Sequence, residues 1–220
     1  MARVIVTLYF IIFFQSVLVA QESTLAGGIT FATGDIVSQD INGSHRILAL
    51  RSQLYTGDTV STDTESRVQF RMIDQALFSM GCESALEITR YFYGDRVRDD
   101  EVSIRLLNGK LRTITGAIDD SSSGEYRFAF GENSLHAEHS DFEVVFNADS
   151  QIAYIAVYDG SINLQTPLGS IVLGWGGDAD FARIESGKEP EILRNMPSIL
   201  GSVSFPAQQN PVSLTSPGRC

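Results

Sequence analysis

Short runs of alternating apolar and polar residues recur along this chain: Arg46 to Leu50, Arg67 to Met72, Leu86 to Tyr91, Val102 to Leu107, Tyr126 to Phe130, Phe142 to Phe146, Tyr154 to Val157 and Ser161 to Gln165. Successive side chains of a strand point to opposite faces, so a period of two puts one apolar face into a core. Gly, Asn, Asp and Ser separate the runs at the spacing of a sandwich, a roll or a short solenoid. No stretch carries the period of a long amphipathic helix. The best helical turns are Asp74 to Phe78 and Glu189 to Arg194. The pattern predicts an all-β chain, a single β-sandwich or β-roll with short solenoid-like coils as an option, and no long helix apart from an amino-terminal signal.

Three glycines sit between apolar runs at a near-constant interval: Gly57 in LYTGDTV, Gly109 in LLNGKLR and Gly160 in VYDGSIN. Glycine takes positive φ without a Cβ clash, and Asn or Asp beside it bonds locally to the backbone, so each reads as a strand–turn–strand unit. Three such units can stack as repeats. The competing reading is that glycine-centred turns occur in any β protein, and these units share little besides the turn.

Residues 1–20, MARVIVTLYFIIFFQSVLVA, have the layout of a cleaved secretory signal: Arg3 at a weakly positive end, an apolar stretch from Val4 to Phe14, and small Ala20 before Gln21. The alternative is an uncleaved anchor, but the apolar stretch is shorter than the roughly 20 residues of a spanning helix. Residues 29–193 read as one β domain. Residues 195–220 gather most of the prolines with Ser, Gln and Asn, and read as a mobile or loosely docked tail in which Ile199 to Phe205 can add an edge strand. Sixteen Lys and Arg stand against 27 Asp and Glu, a surface that repels nucleic acid and anionic lipid. Two cysteines, Cys82 and Cys220, are compatible with a disulfide after export, with a buried thiol and a free one as the alternative.

Several stretches together resemble the FecR domain, the extracytoplasmic module of iron-citrate-type sensor/anti-sigma regulators, over Ile29 to Ile192. GITFATGDIV opens the resemblance. In LRSQLYTGDTVSTDTESRVQFRMID, Gly57, Asp58 and Thr62 match a "GD-x-[IV]-x-T" signature. SALEITRYFYGD is similar to the strand and variable loop that follow. LLNGKLRTITG matches "L-x-x-G-x-[LV]-R" through Gly109 and Arg112, and VYDGSINLQTPLGSIVLGWGG resembles the closing strand pair. One departure is plain: where the family carries "R-G-T-x-F-x-V", this chain reads HAEHSDFEVVF, keeping Phe142 and Val144 without Arg-Gly-Thr. The resemblance implies an extracytoplasmic binding or scaffolding module. Even on the anchor reading, the few residues before the apolar stretch are too short to hold a sigma factor, so the regulatory half of the family's function is not expected here.

Candidate chemistry is sparse. His136, Glu138, His139 and Asp141 are the only cluster of metal-capable side chains, but on a strand they split between two faces, and a solvated loop is the default. Asp178 and Asp180 have calcium-loop spacing without the rest of the pattern. Asp99, Asp100 and Glu101, and Asp119 with Asp120, read as exposed charge runs. Neither a nucleophile elbow nor a phosphate-binding loop is present. We therefore assign no catalytic, cofactor-binding or metal residues and expect no enzyme. Trp175, flanked by glycines in LGWGG, is either a sugar-stacking platform or, as the favoured expectation, a ring packed over the end of the fold. Tyr91, Phe92 and Tyr93 should alternate between core and solvent. The expected partner is an unidentified envelope protein, docked by strand addition at a sheet edge, or a surface glycan, in the periplasm or outside the cell.

Overall fold

The computed structural model describes residues 23–94, 100–118, 125–203 and 205; the candidate signal, Asp99, Asp119, Asp120 and Cys220 lie outside them. The chain is all-β, and among the described residues there is no helix. The first eight strands are β1 (Leu25–Thr33), β2 (Ile36–Gln39), β3 (His45–Ile47), β4 (Gln53–Tyr55), β5 (Thr59–Thr62), β6 (Arg67–Met72), β7 (Leu77–Met80) and β8 (Ala85–Phe92). Then follow β9 (Glu101–Ile114), β10 (Glu125–Phe130), β11 (Asn133–Asn147), β12 (Ile152–Thr166), β13 (Gly169–Gly174), β14 (Phe181–Glu185) and β15 (Glu191–Leu193).

All fifteen strands belong to one hydrogen-bonded sheet, but their pairing divides it into two arms. One arm runs β3–β2–β5–β8–β9–β10–β11–β12–β13, and the other β4–β1–β6–β7–β9–β11–β12–β14–β15. The long strands β9, β11 and β12 belong to both. Their amino- and carboxy-terminal halves take different neighbours: β9 pairs with β8 and β10 up to Asn108, and with β7 and β11 from Gly109 onward. The arms close over one core that takes in residues of both, with the Phe78 ring of one arm 5.9 Å from the Phe128 ring of the other.

The recurring glycines mark where the chain changes arm. Gly57, at φ 89°, sits in a true turn between β4 and β5. Gly109 (φ 92°) and Gly160 (φ 75°) do not; each lies inside a continuous strand, as the corner at which β9 or β12 bends into the other arm. The expectation of three stacked strand–turn–strand units is therefore replaced by one turn and two corners, the device by which strands switch sheets in folded-over β architectures. The corners leave no room for a side chain. A Cβ on Gly160 would lie 2.1 Å from the His139 carbonyl oxygen, and one on Gly109 2.5 Å from Ser84 Cα. β11 turns the same corner with a bulge between Glu138 and Asp141, where His139 takes a left-handed φ of 46°.

Inside, the arms are joined by a polar pin. The Asp74 carboxylate, 1% exposed in the turn between β6 and β7, accepts a hydrogen bond of 2.5 Å from the Tyr91 hydroxyl of β8 and a second from the Tyr126 hydroxyl of β10. The two phenolic oxygens lie 2.9 Å apart, and Gly116 N–H donates to the Tyr126 oxygen at 3.1 Å. Burial pushes both phenols up from their ordinary values, and the carboxylate beside them adds to it.

This pin also explains why Asp74 to Phe78 is not a helical turn. Gln75 has φ 73°, and the chain enters β7 at Leu77. Residues 191–193 likewise form strand β15 rather than a helix. Of the tail, the structure describes residues 195–203 and 205. Its described part adds no strand, yet Leu200, Val203 and Phe205 are buried.

Candidate functional site

Two surfaces bear on function: the free edge at β13 and the outer face of the second arm. Among the described residues, β13 pairs with β12 alone. Because Trp175 N–H donates to Gly160 O at 2.8 Å, the antiparallel alternation directs the backbone groups of Ile171 and Leu173 toward β12 and those of Ser170 and Val172 outward. Beyond the strand, Gly174 (φ 82°) and Gly176 (φ 80°) build a tight turn, closed by Gly177 N–H to Gly174 O and Gly174 N–H to Ala179 O, each 3.0 Å. The Trp175 ring projects from this turn, 68% exposed, with Leu168 and Val172 also exposed along the same strand and its leading turn. The ring is thus not packed over the end of the fold, because glycines on either side give it no wall to lie against. Asp178 and Asp180 in the following loop are exposed, and among the described residues they belong to no group that would make a cation site.

The outer face of the second arm is assembled from alternate residues of strands whose other face lines the core. On β11, Phe142, Val144 and Phe146 point inward, while Glu143 and Val145 point outward. Val145, Ala156 and Leu200 form a second, small apolar cluster, flanked by Tyr154 and Phe181. The described tail residues 200–203 and 205 lie over this face: Gly201 N–H donates to Glu143 Oε2 at 2.8 Å, Lys110 Nζ to Ser202 Oγ at 3.2 Å, and the Phe205 ring packs against the Arg112 guanidinium at 5.5 Å.

Glu143 is the unusual member. Its residue is 0% exposed; Tyr158 Oη donates to Oε2 at 2.6 Å, and Oε1 is buried without a partner among the described residues. Burial raises its carboxyl above the ordinary value, opposed by the hydrogen bonds from Tyr158 and Gly201 and by the charges of Arg112 and Lys110. The same burial, with the adjacent carboxylate, pushes the Tyr158 phenol up.

Most residues singled out in the sequence prove to be architectural. Asp58 is buried and accepts from Tyr55 N–H at 2.8 Å and from the Arg46 guanidinium, fixing the Gly57 turn. Thr62 donates to Gly81 O at 2.7 Å and accepts from Ser84 N–H at 3.0 Å. Arg112 makes a two-pronged ion pair with Asp141, Nε to Oδ1 at 2.8 Å and Nη2 to Oδ2 at 2.7 Å, and stacks on the Tyr158 ring at 4.4 Å. The hydrogen bond to Asp141 raises the guanidinium further.

The His136–Asp141 cluster is therefore not a solvated loop; it lies on β11 across the corner bulge, with Asp141 committed to Arg112. Among the described residues no three His, Cys, Asp or Glu side chains converge as a cation site would require. Counted back from Phe142, the glycine of the family's "R-G-T-x-F-x-V" falls on left-handed His139 and the threonine on Ser140. The Ser140 hydroxyl lies 2.7 Å from Glu138 O and 2.5 Å from Ser161 O and accepts from Glu138 N–H, holding the corner that glycine would otherwise ease.

Asp100 is buried and accepts from Gly94 N–H at 3.0 Å, so that part of its charge run is not an exposed loop. Tyr91 is buried while Phe92 and Tyr93 are exposed. Cys82 is a buried disulfide cysteine; the sequence holds one other cysteine, Cys220, which lies outside the described residues. No helix of the described residues is long and apolar enough to cross a membrane. Sequence reasoning passed over Asp74 and Glu143; the only signal for Glu143 is an isolated acid inside the apolar run FEVVF.

Against known proteins, the likeness is one of fold. Two crystal structures, each of a candidate anti-sigma factor from Parabacteroides distasonis, superpose with a TM-score of 0.51 at 9% and 10% identity. The match covers 62% of this chain and 59% of theirs, so the chain spans less than two thirds of their length. A cell surface anchoring domain matches 33% of the chain at 31% identity, with a TM-score of 0.31 at which the folds do not correspond. No protein-family model and no curated protein matches the chain.

Proposed function

We propose that this chain is an exported FecR-type module without catalytic activity, which docks another envelope protein by strand addition at the free edge of β13. The observation that carries the reading is that edge: outward-facing backbone groups at Ser170 and the outward Val172 N–H, with the Val172 carbonyl turned against Gly177, beside an exposed Trp175 with Leu168 and Val172. An extended peptide added there would gain main-chain hydrogen bonds from the strand and an apolar anchor from the indole. The likeness in fold to the candidate anti-sigma factors supports the FecR assignment, as do the signature residues Gly57, Asp58, Thr62, Gly109 and Arg112. The apolar leader of residues 1–20 supports export, and the acidic composition favours a protein or neutral glycan over nucleic acid.

The exposure of Trp175 between two left-handed glycines also favours a second reading, a glycan stacked on the indole. A photo-crosslinking amino acid at Val172, with a control at Glu65, separates the two in the native envelope. Capture of one protein from position 172 but not from 65, lost in Trp175→Ala with the β-sheet circular dichroism unchanged, is the expected result. Capture of polysaccharide alone would transfer the site to the glycan reading, and equal capture from both positions would overturn the edge as the docking site.

A further inference from the structure

We propose that the chain from Met196 through Val203 and Phe205 is a releasable strap over the outer face of the second arm, held down while Glu143 is neutral and lifted when it ionises. The strap is not part of the sheet. It is held by Leu200 against Val145 and Ala156, by the Gly201 N–H on Glu143, by Ser202 against Lys110 and by Phe205 on Arg112. With the strap seated, Glu143 is closed off from water and, among the described residues, Oε1 has nothing to bond. A neutral carboxyl tolerates such a place far better than an ionised one.

Among the described residues, the groups facing Glu143 can be named element by element. β9 brings Arg112, already engaged by Asp141 of β11, and Lys110, turned to Ser202; β12 brings the Tyr158 phenol, and the strap itself brings no charged side chain over Oε1. Two cations and two donors thus limit the penalty without providing Oε1 a partner. In the docked state the carboxyl titrates above its ordinary value of 4.5. Docking therefore has its full strength below that ordinary value and weakens as pH rises through the docked one. Once lifted, the strap uncovers an apolar floor of Val145 and Ala156 edged by Tyr154 and Phe181, with an ionised acid and two cations beside it. This is a surface of the kind that takes an extended segment, and it is masked in the closed form.

Hydrogen exchange of the full mature chain, corrected for the intrinsic pH dependence of exchange, tests the strap. Protection of peptides covering Leu200 to Val203 should fall steadily as the pH is raised from 5 to 8. Protection of Val144 and Ile155 should stay constant. In Glu143→Gln the strap's protection should not vary with pH. A fall of equal size in Glu143→Gln, or no fall in the wild type, would overturn the proposal. Tyr158→Phe is an independent check should Glu143→Gln fold poorly. Removing a donor to the ionised carboxylate should move release to higher pH, and an unmoved or lowered midpoint would count against the strap.

Discussion

Two buried carboxylates in this molecule rest on tyrosine hydroxyls, and they behave as opposites. Asp74 lies between the arms, where two phenols from the opposite arm and the backbone of Ala76 occupy both oxygens. Glu143 lies on the outside of one arm. It has one phenol, one backbone N–H from a segment outside the sheet, and one oxygen left over. The first arrangement is complete with strands and turns of the sheet alone and can only be broken by unfolding. The second is completed by a piece of chain that can leave. The difference teaches that burial alone does not make a polar group structural; what matters is whether its partners belong to the same cooperative unit.

The comparison breaks most visibly at Asp74. Asp74→Ala should cost on the order of 4 kcal/mol, since two buried phenols each lose an acceptor at about 1–3 kcal/mol. Urea unfolding would measure it, with Asp74→Asn intermediate because the amide can accept from only one side. Arg112→Met tests the outer face at a smaller scale. Loss of the two-pronged pair with partly buried Asp141 should cost about 1–3 kcal/mol by the same measurement. Glu143→Gln should differ in kind. Its effect should stay below about 1 kcal/mol near pH 5 and move in the variant's favour as pH rises, because the wild type loses stability through the raised carboxyl while the amide does not titrate. An Asp74-like loss at every pH would make Glu143 a second pin. Trp175→Ala should change stability by less than about 0.5 kcal/mol, while abolishing capture at Val172.

The all-β class and many of the strands were legible in the alternation, because one buried face imposes a period of two whatever the topology. Arg67 to Met72 and Tyr126 to Phe130 match β6 and β10 residue for residue, the latter but for Glu125. The corners were not legible. A glycine inside a bent strand and a glycine in a turn meet the same demand for positive φ, so Gly57, Gly109 and Gly160 look alike until pairing separates them. His139 hid the third corner altogether, since a left-handed non-glycine residue leaves no mark in composition. Trp175 was misplaced for the opposite reason: an aromatic in a β protein is ordinarily core, and exposure depends on what its glycine neighbours fail to provide. Asp74 and Glu143 escaped because isolated acids acquire meaning only from residues distant in sequence, here Tyr91, Tyr126 and Gly201.

Sharing β9, β11 and β12 between the arms has a consequence for how the molecule forms and fails. Neither arm owns a complete set of strands, so neither is a stable half that could wait for the other, and β10 must find β9 in parallel after the chain has travelled back along its length. Assembly of this kind pays a large loop-closure entropy before most of its contacts exist, so folding should be slow and all-or-none. A cell handling such a chain would have to keep it unstructured for long enough to complete three bends at once. After that, among the described residues, the strap is the segment that can lift without breaking the sheet, and a protease would begin there.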